Sequence, residues 1–86
     1  MAKRRVYKYP IPMNSMEFTV LLPRGYKVNR VGWQQHELFM WATVDVEAPQ
    51  DKVKFRLFGT GQEIPDSMEF VATWDLGPLV MHCYRE

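Results

Sequence analysis

A chain of 86 residues has room for one domain, and a domain of that size buries only about 60–65% of the surface its unfolded form exposes. A formal net charge of +1, one cysteine and two histidines exclude a strongly basic nucleic-acid binder, an internal disulfide and a zinc site made of four Cys and His ligands. Hydrophobic content of 47% with 14% aromatics excludes a disordered chain and leaves a thin core, so support from self-association, a homo-oligomer, is expected.

No apolar run approaches the length of a membrane span or a signal-peptide core, so the protein is expected in the cytoplasm and away from membranes. The lone Cys83 suits that reducing compartment. Arg4 to Tyr9 reads as a first strand, with Tyr7, Tyr9 and Ile11 toward one side. Pro10 and Pro12 lack an amide donor, which suits an edge or a strand exit. Met16, Phe18, Val20 and Leu22 then alternate with Glu17 and Thr19, the pattern of a half-buried strand. Pro23-Arg24-Gly25 closes it, and Tyr26 to Trp33 reads as the return strand. Gln34 to Glu37 is a polar turn into Leu38–Val44. Its run Leu38-Phe39-Met40-Trp41-Ala42 puts large apolar groups on both faces, so either both faces are covered within the chain or one waits for a partner.

A loop over residues 47–51 leads to Lys52–Gly61. There Val53, Phe55 and Leu57 are expected to point inward and Lys54, Arg56 and Phe58 outward. Pro65 marks irregular backbone. Met68, Phe70, Ala72 and Trp74 follow on one face, against Glu69, Val71, Thr73 and Asp75. After the turn Leu76-Gly77-Pro78, Leu79 to Tyr84 is the last strand. Short strands with tight connections and no helical period predict a single all-β domain over residues 1–86, a compact antiparallel β-sandwich or small β-barrel of about seven short strands.

Groups with chemistry are few. Gly59-Thr60-Gly61 can turn amides toward an anion, although Gly-X-Gly after a strand is commonly only a turn. The residues that follow, Gln62-Glu63-Ile64, match neither a Walker loop nor a dinucleotide fingerprint. Arg56 and Phe58 share a face beside that loop, with Lys54 one pleat earlier, where a guanidinium can pair with phosphate and a ring can stack on a base. The plainer reading is the guarded outer face of an edge strand. Trp41 is the ring most suited to an interface or pocket. His36 sits in a polar turn and His82 reads as a packing residue. Neither faces a nucleophile that the sequence places nearby, and Asp45, Glu47 and Asp51 lack the ligand pattern of a calcium loop. No enzyme, no cofactor and no metal site is expected.

Val6-Tyr7-Lys8-Tyr9-Pro10-Ile11-Pro12, Leu22-Pro23-Arg24-Gly25, Trp41-Ala42-Thr43-Val44-Asp45 and Phe55-Arg56-Leu57-Phe58-Gly59-Thr60-Gly61, in that order and spacing, resemble a family of small uncharacterised bacteriophage and prophage proteins. The resemblance implies an accessory factor against host defence. One such role is a sponge, an oligomer that encloses a nucleotide immune signal, with Lys54 and Arg56 on phosphate, Phe58 and Trp41 stacking, and Gly59, Thr60 and Gly61 in close approach. The alternatives are a protein-interaction module that inhibits a host defence protein and a small barrel for single-stranded nucleic acid. The near-neutral charge makes nucleic acid the weaker of these.

Overall fold

The computed structural model describes residues 3–86. Its strands are β1 (Arg4–Pro10), β2 (Glu17–Pro23), β3 (Lys27–Gln34), β4 (Glu37–Asp45), β5 (Gln50–Gly59), β6 (Glu69–Leu76) and β7 (Leu79–Arg85). They form two antiparallel sheets, of order β1-β4-β3 and β2-β5-β7-β6. The fold is all-β, and of the two expected architectures it is the sandwich.

Alternation sets which side chains meet. Leu38, Met40, Ala42 and Val44 of β4 are buried in the core, while Phe39, Trp41 and Thr43 lie half-buried on the outer face. Opposite them, Phe18 and Leu22 of β2 and Phe55 and Leu57 of β5 close the core, and Phe18 stacks on Phe55 with centroids 5.3 Å apart. Phe55 is fully buried. Truncating it to alanine would cost about 3–5 kcal/mol, a large share of a small domain's stability.

The chain does not return on itself after β2. Pro23 ends that strand, Gly25 takes φ 79°, and β3 begins in the other sheet, paired with β4. β2 pairs with β5 instead, through Phe18↔Phe55 and Val20↔Val53. The β3–β4 hairpin closes through Gln35 and His36, both with positive φ (51° and 68°). A two-residue loop of that handedness matches the twist of the strands, and it is imposed here on residues that disfavour it.

β5 and β6 run parallel, with β7 between them. The connection over residues 60–68 therefore leads back to the other end of the sheet, starting with Thr60 against His82. Two polar links join the sheets on the β3–β6 side. Trp33 Nε1 donates to the Asp75 carbonyl (2.8 Å), and an Arg85 Nη1 donates to the Tyr26 hydroxyl (3.2 Å).

Two bulges break the simple alternation. One, between Val28 and Arg30, turns Val28 inward and Arg30 outward. The other, between Phe70 and Ala72, leaves Trp74 in the core but sends Phe70 out against Tyr84, 59% exposed. The expectation of one continuous apolar face from Met68 to Trp74 fails there, because an extra residue in one strand reverses the sides of those beyond it.

Candidate ligand-binding face

The residues singled out from the sequence fall on two opposite outer faces. Lys54, Arg56 and Phe58 do share one side of β5, as their partners Thr19, Glu17 and His82 on neighbouring strands require. Trp41 lies on the outer side of the other sheet. The whole core separates them, so they do not form one site.

On the four-stranded sheet Lys54 and Arg56 each approach a carboxylate, while Lys52, in phase with them on β5, makes no ion pair among the described residues. Arg56 Nε stands 3.0 Å from Glu17 Oε1, an ion-pair approach without hydrogen-bond alignment, and its Nη2 lies 3.8 Å from Glu86. Lys54 Nζ is 3.8 Å from the same Glu86. Phe58 is only 7% exposed, edge-on to Tyr84 at 5.7 Å. A ring so covered has no free face for a base. It lies outside the main core, on the outer side of the sheet with His82.

The glycine loop is closed on itself. The Gly59 amide donates to Gln62 Oε1 (2.7 Å), and the Gln62 amide donates to the Gly59 carbonyl (3.2 Å). Thr60 Oγ1 donates to the Val80 carbonyl (3.3 Å) and lies 3.0 Å from His82 Nε2, whose Nδ1 is 2.9 Å from Thr73 Oγ1. Gly61 takes φ 93°, the conformation for which a turn needs glycine. The depression beside the loop, about 280 Å³, is lined by Gly59, Thr60, Pro78, Leu79, Val80 and Met81. It contains no cation, so it offers a phosphate little.

Trp41 keeps different company. It sits beside Phe39, centroids 5.9 Å apart and rings tilted by 57°. Lys8 Nζ lies 4.5 Å above the Phe39 ring and the Arg30 guanidinium 5.4 Å from the Trp41 ring. Register explains the grouping, since both Lys8 and Arg30 stand opposite Trp41, on β1 and β3. Arg30 lies across Gly32, where a β-carbon would come 3.0 Å from its Nε and 3.1 Å from an Nη. Lys8 donates to Gln34 Oε1 (2.8 Å). Neither cation makes an ion pair among the described residues. A cation held on a ring face and short of a counter-charge can accept a phosphate or carboxylate, and the rings can stack on a planar group.

Another groove, about 420 Å³, is lined by Gly25, Tyr26, Val28, Phe70, Val71 and Arg85. Its charge is balanced internally, because Arg85 donates to Glu69 Oε2 at 2.6 Å, a bond that raises the arginine's pKa further. Cys83 is buried, and burial pushes its thiol up to about 12, which removes it as a nucleophile near neutrality. Sequence reasoning missed Arg30, Lys8 and Phe39 as site residues. Phe39 and Lys8 were readable from strand phase, but Arg30 reaches this face only through the bulge.

No curated protein and no solved structure matches the chain. Residues 2–86 match the family described as Domain of unknown function (DUF7352), and the chain belongs to that family.

Proposed function

We propose that this is a non-enzymatic binder of an anionic, aromatic small ligand, a nucleotide, held on the outer face of the three-stranded sheet. Trp41 and Phe39 stack on the base, and Arg30 and Lys8 hold phosphate. What supports this reading is the contrast between the faces: Arg30 and Lys8 lie over half-exposed rings without an ion pair among the described residues, whereas Lys54 and Arg56 each approach a carboxylate. The biological role that fits, by way of the phage-type motifs, is sequestration of a nucleotide immune signal in the host cytoplasm.

Thermal-shift and calorimetric titration against linear and cyclic nucleotides test the reading. Base stacking is worth about 1–3 kcal/mol, so Trp41→Ala is expected to weaken binding by about 5–150-fold. Arg30→Ala is expected to weaken it as well, and Arg56→Ala to leave it unchanged. No shift with any nucleotide, or a loss confined to Arg56→Ala, overturns the proposal. A second reading rests on the same face being a sheet surface instead of a cleft, which also suits bases of a single strand. Affinity for an oligonucleotide that falls steeply with salt would identify it.

A further inference from the structure

The edge strand β1 is the barest element of the fold. Arg4 to Lys8 are exposed whichever face they occupy, with Val6 at 59% and Tyr7 at 44%. The Lys3 carbonyl accepts from the Val46 amide and the Ile11 amide donates to the Leu38 carbonyl. Since backbone direction alternates along a strand, the odd-numbered residues of β1 bond to β4. The polar groups of Arg4, Val6, Lys8 and Pro10 therefore point away from the sheet, toward solvent. The free edges of β3 and β6 are broken by bulges, the usual protection against pairing. β2 keeps an unbroken edge, but its Phe18 and Leu22 are already buried. Only β1 is both unbroken and bare on its two faces.

We infer that β1 pairs antiparallel with β1 of a second copy of this chain, in the register centred on Tyr7, joining two three-stranded sheets into one of six strands. The strand is complementary to itself over its whole length in one register, and charge selects that register. Three cations in a strand normally forbid self-pairing, because like charges directly opposite repel. Centred on Val6, the register sets Arg4 against Lys8 of the second copy. Centred on Tyr7, it sets Arg4 against Pro10, Arg5 against Tyr9 and Lys8 against Val6, so every cation meets an uncharged residue. The same register pairs all of Arg4–Pro10. It also puts Pro10, which has no amide to offer, at the end of the ladder, where one missing donor matters least. This inference stands apart from the ligand reading and is tested without ligand.

Sedimentation equilibrium over increasing protein concentration is expected to show the mass doubling. Val6→Pro is the decisive variant. Its lost amide faces away from β4, so melting should match the parent at protein concentrations low enough that the parent is monomeric, fall below it where the parent is dimeric, and the doubled mass should disappear. Register is read by cysteine cross-linking, which the buried Cys83 leaves undisturbed. In the Tyr7 register the two Tyr7 positions form a non-hydrogen-bonded pair with Cα atoms about 4.5 Å apart, within disulfide reach. Tyr7→Cys should therefore link under oxidation and Val6→Cys should not. A monomer at every concentration overturns the inference. So does a dimer that survives Val6→Pro but is lost in Leu21→Pro, which would put the contact on β2, and so does cross-linking through Val6→Cys in place of Tyr7→Cys.

Discussion

Gly32→Ala separates the chemistry of the Trp41 face from the stability of the fold. The new methyl group would stand 3.0 Å from Arg30 Nε, 3.1 Å from Nη2 and 3.3 Å from Cζ. All three atoms belong to the mobile end of a long side chain, so the guanidinium moves and the backbone does not. Loss of the contact with Trp41 costs about 0.5–1 kcal/mol at such a site. Replacing glycine by alanine at a tolerated φ returns about 0.4–1 kcal/mol by restricting the unfolded chain. The net change in urea unfolding is expected to lie within about 0.5 kcal/mol of zero. Nucleotide affinity should behave otherwise. A charge-assisted hydrogen bond is worth about 1.5–3 kcal/mol, so a displaced Arg30 is expected to weaken binding by about 10–150-fold in calorimetry. Unchanged affinity would refute the role given to Arg30, and a protein that no longer folds would refute the steric argument.

In the β3–β4 turn, Gln35→Asn with His36→Gly supplies residues that accept positive φ, and a gain of about 1–1.5 kcal/mol is expected after glycine's own entropy is subtracted. For a domain of this size that is a rise in melting temperature of about 4–12 °C by calorimetry, and no rise would mean the turn is unstrained. Cys83 predicts a pH dependence. Its thiol is raised from 9.0 to about 12, so the folded state holds the proton more tightly than the unfolded chain does. That contribution is complete below about pH 9 and is lost as pH climbs toward about 12, at up to about 1.4 kcal/mol per pH unit. Urea midpoints for the parent should fall faster above pH 9 than those of Cys83→Ala, and parallel curves would contradict the burial argument.

Strand existence and phase were legible wherever alternation ran unbroken. Val53, Phe55 and Leu57 point inward as their pattern requires, and Met40 and Ala42 are buried as their phase with Leu38 implies. Pairing was not legible, because β2 and β3 are neighbours in sequence but belong to different sheets, and nothing in Pro23-Arg24-Gly25 says whether a turn reverses the chain or passes it across the sandwich. Bulges hid two site-relevant residues. Arg30 shares parity with Val28, and Phe70 with Ala72, yet each pair is split between faces by one extra residue. Phe58 misled for another reason. Its strand phase does put it outward, yet it is buried there against Tyr84, a tertiary fact that no local pattern carries.

The two proposals meet on one surface. In the Tyr7-centred dimer the two-fold axis is perpendicular to the sheet, so the Trp41 faces of both copies look the same way. Trp41 is paired with Lys8 in its own sheet, and Val6 with Thr43. Across the junction Lys8 meets Val6 of the second copy, which puts Trp41 in line with the second copy's Thr43, two residues short of its Trp41. Three strand spacings and two residue steps give about 16 Å between the tryptophans. Between them lie only β1 and its counterpart, with Lys8 and Val6 from each copy as the floor. Lys8 Nζ leans away from the junction, over Phe39 and onto Gln34, so each ring keeps its own cations and two such ring-and-cation sites face the same way, the arrangement that a molecule with two bases joined through phosphates would span. A ligand with a single base would use half of it. Edge pairing would thus join two shallow ring-and-cation platforms, one from each copy, into a surface with two stacking positions, using residues that a single sheet already carries on the right side.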